Sequence, residues 1–179
     1  MNKIATHDSV TSEESWWLTK PLTIFAKTQD KTISEQLAYG CRFFDIRVRK
    51  THRGWICAHG LWETKKTADE ILSEINKYET YCNITYEGFG CDSFVDQVNE
   101  WEKKYPNIKF VYVSIKYSKW FKWEILEQRH TVDGGAVDCF FKLDWSSWHT
   151  LLPIPKLWKK IYGPHPIFNE YFFQFVDFL

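Results

Sequence analysis

The chain has 179 residues, which predicts one domain over residues 1–179 that is long enough to bury a core. Its 23 Lys and Arg residues balance its 23 Asp and Glu residues, so no overall field favours binding to nucleic acid or to an anionic membrane. Since no segment approaches the ~18 uninterrupted apolar residues of a membrane span, and Met1 leads almost directly into the first motif, we expect neither a membrane span nor a signal peptide. The expected protein is soluble or peripheral to a membrane, and either cytoplasmic or secreted with its signal removed.

The first half of the chain alternates short strands with helices. A capping box of Thr32 and Glu35 predicts the start of a helix, and Gly40 predicts its end. The predicted elements, in chain order, are a short strand before His7-Asp8-Ser9, a loop over residues 12–31, a helix over 32–40, a strand ending on Asp45 and Arg47, and a strand over 55–59.

The second half continues this alternation less regularly. A second capping box, Thr67 with Glu70, predicts another helix start. The predicted elements are a helix from 67, a loop over 81–90, a helix from Phe94 that ends before Pro106, a strand over 108–116, a strand over 136–142 and a β-prone run over 171–179. The helix-loop-strand order predicts right-handed βαβ units and a parallel sheet.

Three basic side chains stand out at predicted strand ends. His7 lies forty residues before Arg47, and His59 lies twelve residues after it. Two histidines beside an arginine suit a phosphodiester, because one takes a proton from an attacking hydroxyl, the other protonates the leaving oxygen, and the guanidinium neutralises the phosphate. Asp45 and Arg47 share one face of their strand. A structural ion pair at a sheet edge is the alternative interpretation.

The segments that carry these side chains resemble a known enzyme family. The segments are ATHDSVT (5–11), TISEQLAYGCRFFDIRV (32–48) and ICAHGLW (56–62). They resemble the catalytic X region of phosphatidylinositol-specific phospholipases C, of the metal-independent bacterial type and its X-domain-only relatives. The resemblance covers Asn2 to about Leu61 and returns from Phe94 to Lys116. The matching positions are His7, Asp8, Ser9, Gln36, Leu37, Gly40, Arg42, Asp45, Arg47, His59 and Gly60.

The resemblance implies a fold and a reaction. The implied fold is an α/β protein, a TIM-type (β/α) barrel with a mainly parallel sheet. Because a full barrel needs ~200 residues or more, we expect it to be shortened or distorted. The implied activity is cleavage of phosphatidylinositol, or a glycosylated form of it, to diacylglycerol and inositol 1,2-cyclic phosphate. The implied general base and acid are His7 and His59, with Arg47 on the phosphate and Asp45 and Asp8 as orienting groups.

The resemblance implies roles for two further residues. Asp177 matches the aspartate that orients the base histidine, although periodicity alone favours a capping residue. Lys116 matches a basic residue that contacts the substrate head group, and a solvated lysine at a strand end is the alternative.

The resemblance also implies that the reaction needs no cofactor. Metal-dependent relatives place a Glu-x-Asp in the second strand, where this chain has Asp45-Ile46-Arg47. Because Arg47 would put a fixed cation where that metal sits, we predict no metal.

Two other functions and two kinds of partner stay open. The functions are a related phosphodiesterase with another head group and a non-catalytic lipid-binding domain. The aromatic content of 18% suggests loops that contact a phospholipid membrane surface, with Trp16, Trp17, Trp62 and the Trp120–Trp123 cluster as candidates. An uncovered sheet edge in a shortened barrel would pair with a second copy and give a homodimer.

Overall fold

The computed structural model describes residues 3–6, 8–88, 93–119, 122–130, 167–168 and 173–176. The strands in these ranges are β1 (Lys3–Thr6), β2 (Cys41–Thr51), β3 (Gly54–His59), β4 (Trp62–Thr67), β5 (Thr80–Glu87), β6 (Ile108–Lys119), β7 (Lys122–His130), β8 (Ile167–Phe168) and β9 (Phe173–Val176). The helices are α1 (Thr23–Ala26), preceded by a 3-10 turn at Lys20–Leu22, α2 (Ile33–Tyr39), α3 (Ala68–Ile75) and α4 (Phe94–Lys104).

The strands form one mixed sheet in the order β7-β6-β5-β2-β1-β9-β8, with β3 and β4 branching from β2. Within the described ranges, four strand pairs are parallel: β1 with β2, β1 with β9, β2 with β5, and β5 with β6. Four others are antiparallel: β2 with β3, β3 with β4, β6 with β7, and β8 with β9. The predicted parallel βαβ order therefore holds at the centre of the sheet, but the described sheet as a whole is not mainly parallel.

Strand β2 extends further than the sequence suggests. We expected it to end on Asp45 and Arg47, whereas it continues to Thr51 and turns back at Gly54, with φ of 93°, into the antiparallel strand β3. The expectation was wrong because the alternation of apolar and charged residues continues through Val48 and Arg49. Asp45 and Arg47 therefore lie within the strand, and His59 is at the end of an antiparallel strand.

The prediction of a loop over residues 81–90 is also wrong. Residues Thr80–Glu87 form β5, which lies between β2 and β6 and is parallel to both. Its residues alternate: Cys82, Ile84 and Tyr86 join the hydrophobic core, and the side chains between them face the other side of the sheet. The glycines at the end of this stretch favour a loop, but tertiary pairing on both sides of β5 outweighs that local preference.

The helices start where the capping residues predict. Thr32 with Glu35 and Thr67 with Glu70 both form reciprocal capping boxes, and Gly40 ends α2 in the left-handed conformation with φ of 100°. Helices α2, α3 and α4 pack on one face of the sheet. Their core residues are Ile33, Leu37, Ile71, Leu72, Ile75, Phe94, Val98 and Trp101, and the strand residues they cover include Phe44, Ile46, Val48, Cys82 and Ile84.

Some predicted features lie wholly or partly outside the described residues. The strand predicted over 136–142 is outside them, as are His7 and Asp177. The predicted C-terminal strand is confirmed for Phe173–Val176, which pairs in parallel with β1. No helix in the described ranges is long and apolar enough to span a bilayer.

Candidate active site

The face of the sheet opposite the helices carries a row of polar side chains. Because Phe44, Ile46 and Val48 of β2 point into the core, Asp45, Arg47 and Arg49 point to the other face. Strand β5 pairs with β2 in register, with Asp45 opposite Asn83 and Arg47 opposite Thr85. The fold therefore brings alternate polar residues of two neighbouring strands together on one face.

Arg47 is at the centre of this row. Its Nε lies 2.5 Å from Asp8 Oδ1, its Nη1 lies 3.0 Å from Glu87 Oε1, and its Nη2 lies 3.7 Å from Asp45 Oδ2. Burial alone would lower the pKa of Arg47, but the carboxylates of Asp8, Glu87 and Asp45 raise it above the usual arginine value. The guanidinium is therefore a permanent positive charge held by three carboxylates.

Asp8 connects this guanidinium to His59. Its Oδ2 lies 3.2 Å from His59 Nδ1, while its Oδ1 contacts Arg47. Asp8 is 2% exposed, and its backbone adopts φ of 44°, a left-handed conformation that aspartate tolerates better than most residues. A carboxylate this close to an imidazole fixes the orientation of its ring.

Asp45 fixes the position of Asp8. Its Oδ2 accepts a hydrogen bond from the Asp8 backbone amide at 3.2 Å, and its Oδ1 accepts one from Asn83 Nδ2 at 2.6 Å. Asp45 is 2% exposed. Asp45 therefore connects β5 to the turn that follows β1.

Glu87 joins the arginine to the turn that follows His59. Its Oε1 accepts from Arg47, and its Oε2 accepts from the Gly60 backbone amide at 2.8 Å. Arg49 strengthens the same connection, because it donates to the carbonyl oxygens of both Glu87 and Gly60. The turn carrying His59 is thereby tied to both β2 and β5.

The structure brings four of the predicted site residues together, and these are Asp8, Asp45, Arg47 and His59. His7 and Asp177 lie outside the described residues. The residues directly before them, Thr6 and Val176, are paired in register on neighbouring strands. Lys116 pairs through its backbone with Glu87, in a strand that continues to Lys119, and its side chain lies outside the described residues.

Sequence reasoning missed Glu87 and Asn83. Both were assigned to a loop, and Asn83 was not considered as a contact of Asp45. The signal that would have found them is the alternation in TYCNITYE, where apolar Cys82, Ile84 and Tyr86 leave Asn83 and Glu87 on the face shared with Asp45.

The carboxylates of this site are arranged around a guanidinium. In the described part of the chain, no group of three or more His, Cys, Asp and Glu side chains has an arrangement that could hold a metal ion. The carboxylates of Asp8, Asp45 and Glu87 all contact Arg47.

Comparison with known proteins finds a family match in the N-terminal part of the chain. Residues 1–83 match the family described as "Phosphatidylinositol-specific phospholipase C, X domain". The family resemblance predicted from the motifs is thereby confirmed over these residues, which include the described site residues Asp8, Asp45, Arg47 and His59. No curated protein matches the chain.

Two solved structures illustrate the more distant similarities. One is the phosphatidylinositol-specific phospholipase C from Listeria monocytogenes, with 20% identity over 64% of this chain and 42% of that chain, and a TM-score of 0.47. The other is the H258Y mutant of the corresponding enzyme from Staphylococcus aureus, with 23% identity over 59% of this chain and 38% of that chain, and a TM-score of 0.46. The chain therefore spans less than half the length of either protein.

Proposed function

We propose that the chain forms a single catalytic domain that cleaves phosphatidylinositol, or a glycosylated form of it, to diacylglycerol and inositol 1,2-cyclic phosphate. The observation that supports this most strongly is the position of Asp8, whose two carboxylate oxygens contact Arg47 and His59 separately. A charged guanidinium and an imidazole held by one buried carboxylate suit a reaction that develops negative charge on phosphorus and needs a proton donor.

The proposed reaction is an internal displacement at phosphorus. His7, oriented by Asp177, takes the proton of the inositol 2-hydroxyl, and the hydroxyl oxygen forms a bond to the phosphorus. The bond from phosphorus to the diacylglycerol oxygen breaks, and His59 gives that oxygen its proton. Because nucleophile and electrophile belong to one molecule, alignment supplies up to ~7–11 kcal/mol of the barrier in well-oriented systems.

Arg47 stabilises the charge that develops on the non-bridging phosphate oxygens. Its guanidinium stays protonated, since burial, which lowers its pKa, is outweighed by the carboxylates of Asp8, Glu87 and Asp45. Asp45 and Asp8 act as orienting groups, and Glu87 joins them. Lys116 is the proposed contact for the substrate head group, next to Glu87 in the sheet.

The same charge arrangement supports a reaction without a metal. The carboxylates of Asp8, Asp45 and Glu87 already neutralise a fixed cation, and a divalent ion would have to compete with the Arg47 guanidinium for them. We therefore propose that turnover persists in EDTA.

An exposed apolar surface lies next to the site, and we propose that it contacts the membrane that holds the substrate. We call it the apolar rim, and its residues are 50% to 72% exposed: Trp17, Leu18, Ile24, Phe25 and Leu61. The segment of Leu61 lies against the segment of Ile24 and Phe25, because Trp62 Nε1 donates to Thr23 Oγ1 at 3.1 Å. Leu61 follows His59 by two residues, so the rim borders the proposed proton donor.

Not all of the tryptophans predicted to contact the membrane are exposed. Trp62 is 1% exposed and belongs to the interior, so its prediction as a membrane contact is wrong, whereas Trp17 is 68% exposed. The indole of Trp16 is covered by the Arg53 guanidinium at 4.1 Å. The Trp120 and Phe121 part of the predicted cluster lies outside the described residues.

The test is release of diacylglycerol from vesicles of defined composition in EDTA, with His59→Ala as the inactive control. We expect release from phosphatidylinositol vesicles and none from phosphatidylcholine or phosphatidylethanolamine vesicles. Turnover of another diester alone would support a related phosphodiesterase with a different head group, and binding without turnover would support a lipid-binding domain.

A further inference from the structure

Gln36 of α2 is fully buried and uses every polar hydrogen of its side chain. Its Nε2 donates to the carbonyl oxygens of Ser9 at 2.7 Å and Lys31 at 2.6 Å. Its Oε1 accepts from the Thr6 hydroxyl at 2.8 Å. A buried amide with both donors and its acceptor engaged forms a rigid connection between three chain segments.

Two of these segments bracket the turn that carries Asp8. Thr6 ends β1, and Ser9 is the residue after Asp8. The Ser9 hydroxyl donates to the Thr6 carbonyl at 2.8 Å, which closes the turn, and Thr6 and Ser9 are both completely buried. Gln36 therefore holds the turn at both of its ends.

The same turn is connected to Asp45 through Ser9. The Ser9 amide donates to the Asp45 carbonyl at 2.9 Å, and the Asp45 amide donates to Ser9 Oγ at 2.9 Å. Asp8, between the two ends, has the left-handed φ of 44°. Since such a conformation is costly for a non-glycine residue, it persists only where neighbouring bonds fix the chain on both sides.

We propose that Gln36 is a positioning residue for the reaction, acting through the turn of residues 6–9 to hold the Asp8 carboxylate between Arg47 and His59. This inference rests on the proposed function. The chemistry of the position requires glutamine: glutamate would accept from Thr6 but lacks donors for two carbonyl oxygens, and methionine has the length but neither kind of group.

The first test compares Gln36→Met with Ile33→Val, a mild core change in the same helix that removes no side-chain hydrogen bond. We expect Gln36→Met to lower kcat by up to about 100-fold, because misplacing a catalytic group by about 1 Å has effects of that size. KM should change little, since Gln36 does not contact the substrate. Ile33→Val should keep both constants. Equal kcat in Gln36→Met and the wild type would overturn the proposal.

The second test does not depend on activity. Hydrogen exchange at the Ser9 amide, corrected for global stability measured in urea, reports the bond from Ser9 to Asp45. We expect faster exchange in Gln36→Met than in Ile33→Val, and equal rates would contradict the proposal. If Gln36→Met does not fold, Gln36→Glu keeps the acceptor for the Thr6 hydroxyl, loses the donors to the Ser9 and Lys31 carbonyl oxygens, and permits the same two comparisons.

The two tests separate this inference from the proposed function. A wild-type protein that turns over no phosphodiester refutes the proposed function, and the exchange rates then decide alone whether Gln36 holds the turn.

Discussion

At the scale of single residues, the candidate site depends on how a buried positive charge is held. Three carboxylates from three parts of the chain contact Arg47, namely Asp8 after β1, Asp45 on β2 and Glu87 on β5. Removing one partner of such a buried pair typically costs about 3–5 kcal/mol, because the remaining charge loses its compensation. Each carboxylate should therefore affect both the stability and the activity of the protein.

Glu87 provides the most informative substitution at this scale. Glu87→Gln keeps the shape but replaces one acceptor oxygen with a donor, so either Arg47 or the Gly60 amide loses its partner. We expect kcat/KM to fall by about 10- to 100-fold, since Arg47 and the turn after His59 both shift. Steady-state kinetics on phosphatidylinositol vesicles measures kcat/KM of the variant and the wild type.

The matched control for Glu87→Gln is Asp69→Asn. It also removes a carboxylate with several hydrogen bonds, but Asp69 joins α3 to α4 on the helical side of the sheet. Asp69→Asn should lower stability and leave kcat/KM unchanged. Equal losses of activity in both variants would mean that Glu87 acts only through general stability.

Part of this site could be predicted from the sequence, because four of its residues lie in sequence motifs. Asp8, Asp45, Arg47 and His59 lie in short segments whose order and spacing carry a family resemblance, so they were identified without coordinates. Glu87 and Asn83 were not identified, because they reach the site only through the pairing of β5 with β2. The paired residues of these strands are 38 positions apart in the sequence. Contacts of this kind depend on tertiary register rather than on local pattern.

Among the helices and strands, some features depend on residues close together in the sequence, and others depend on pairing with another strand. Both capping boxes and the glycine at the end of α2 form as predicted, because each depends on residues at most four positions apart. The extension of β2 and the identity of β5 were mispredicted. Strand β5 is stabilised by pairing with β2 and β6, which are distant from it in sequence, whereas the end of β2 pairs with β3 across the short turn before Gly54.

The connection between α3 and α4 gives a pH-dependent prediction. Burial alone would raise the pKa of Asp69, but hydrogen bonds from Lys104, Tyr105 and Trp101 outweigh it and lower the pKa. Because the folded pKa lies below the unfolded one, Asp69 contributes stability at neutral pH, and this contribution is lost as the pH falls through the folded pKa.

The measurement is urea unfolding of the wild type and Asp69→Asn over a pH series. We expect a difference of about 1 kcal/mol at neutral pH, since a half-exposed ion pair is partly screened. The difference should shrink below about pH 4, the range in which ordinary aspartates titrate. A difference that is independent of pH would show that packing, and not charge, connects the two helices.

At the scale of the whole molecule, the sheet is mixed where a mainly parallel one was expected. The cause is visible in the connections: the β3–β4 hairpin is inserted between β2 and α3, and β7 returns directly along β6. The order of predicted helices and strands does not reveal such hairpins, because a short strand after a turn can pair in either direction. A homodimer through a sheet edge stays a prediction.

The apolar rim is the proposed membrane contact, and it can be tested by substitution. Replacing Trp17 and Leu61 with Ser should weaken binding to phosphatidylinositol vesicles about tenfold or more, because burial of each exposed side chain contributes about 1 kcal/mol or more. Vesicle sedimentation measures the partition coefficient. Tyr39→Ser is the control, since Tyr39 is 59% exposed at the end of α2, outside the rim, and should leave binding unchanged.

Equal binding of the Trp17 and Leu61 double variant and the wild type would exclude the rim as the membrane contact. A comparable loss in Tyr39→Ser would indicate nonspecific adsorption of exposed aromatic residues.

In the proposed reaction, the inositol 2-hydroxyl displaces diacylglycerol from phosphorus with the help of His59 and Arg47. The most direct measurement is the phosphorus NMR spectrum of the water-soluble product formed from phosphatidylinositol vesicles in EDTA. We expect the resonance of inositol 1,2-cyclic phosphate to appear first. Formation of linear inositol phosphate with no cyclic precursor, or no product at all, would contradict the claim.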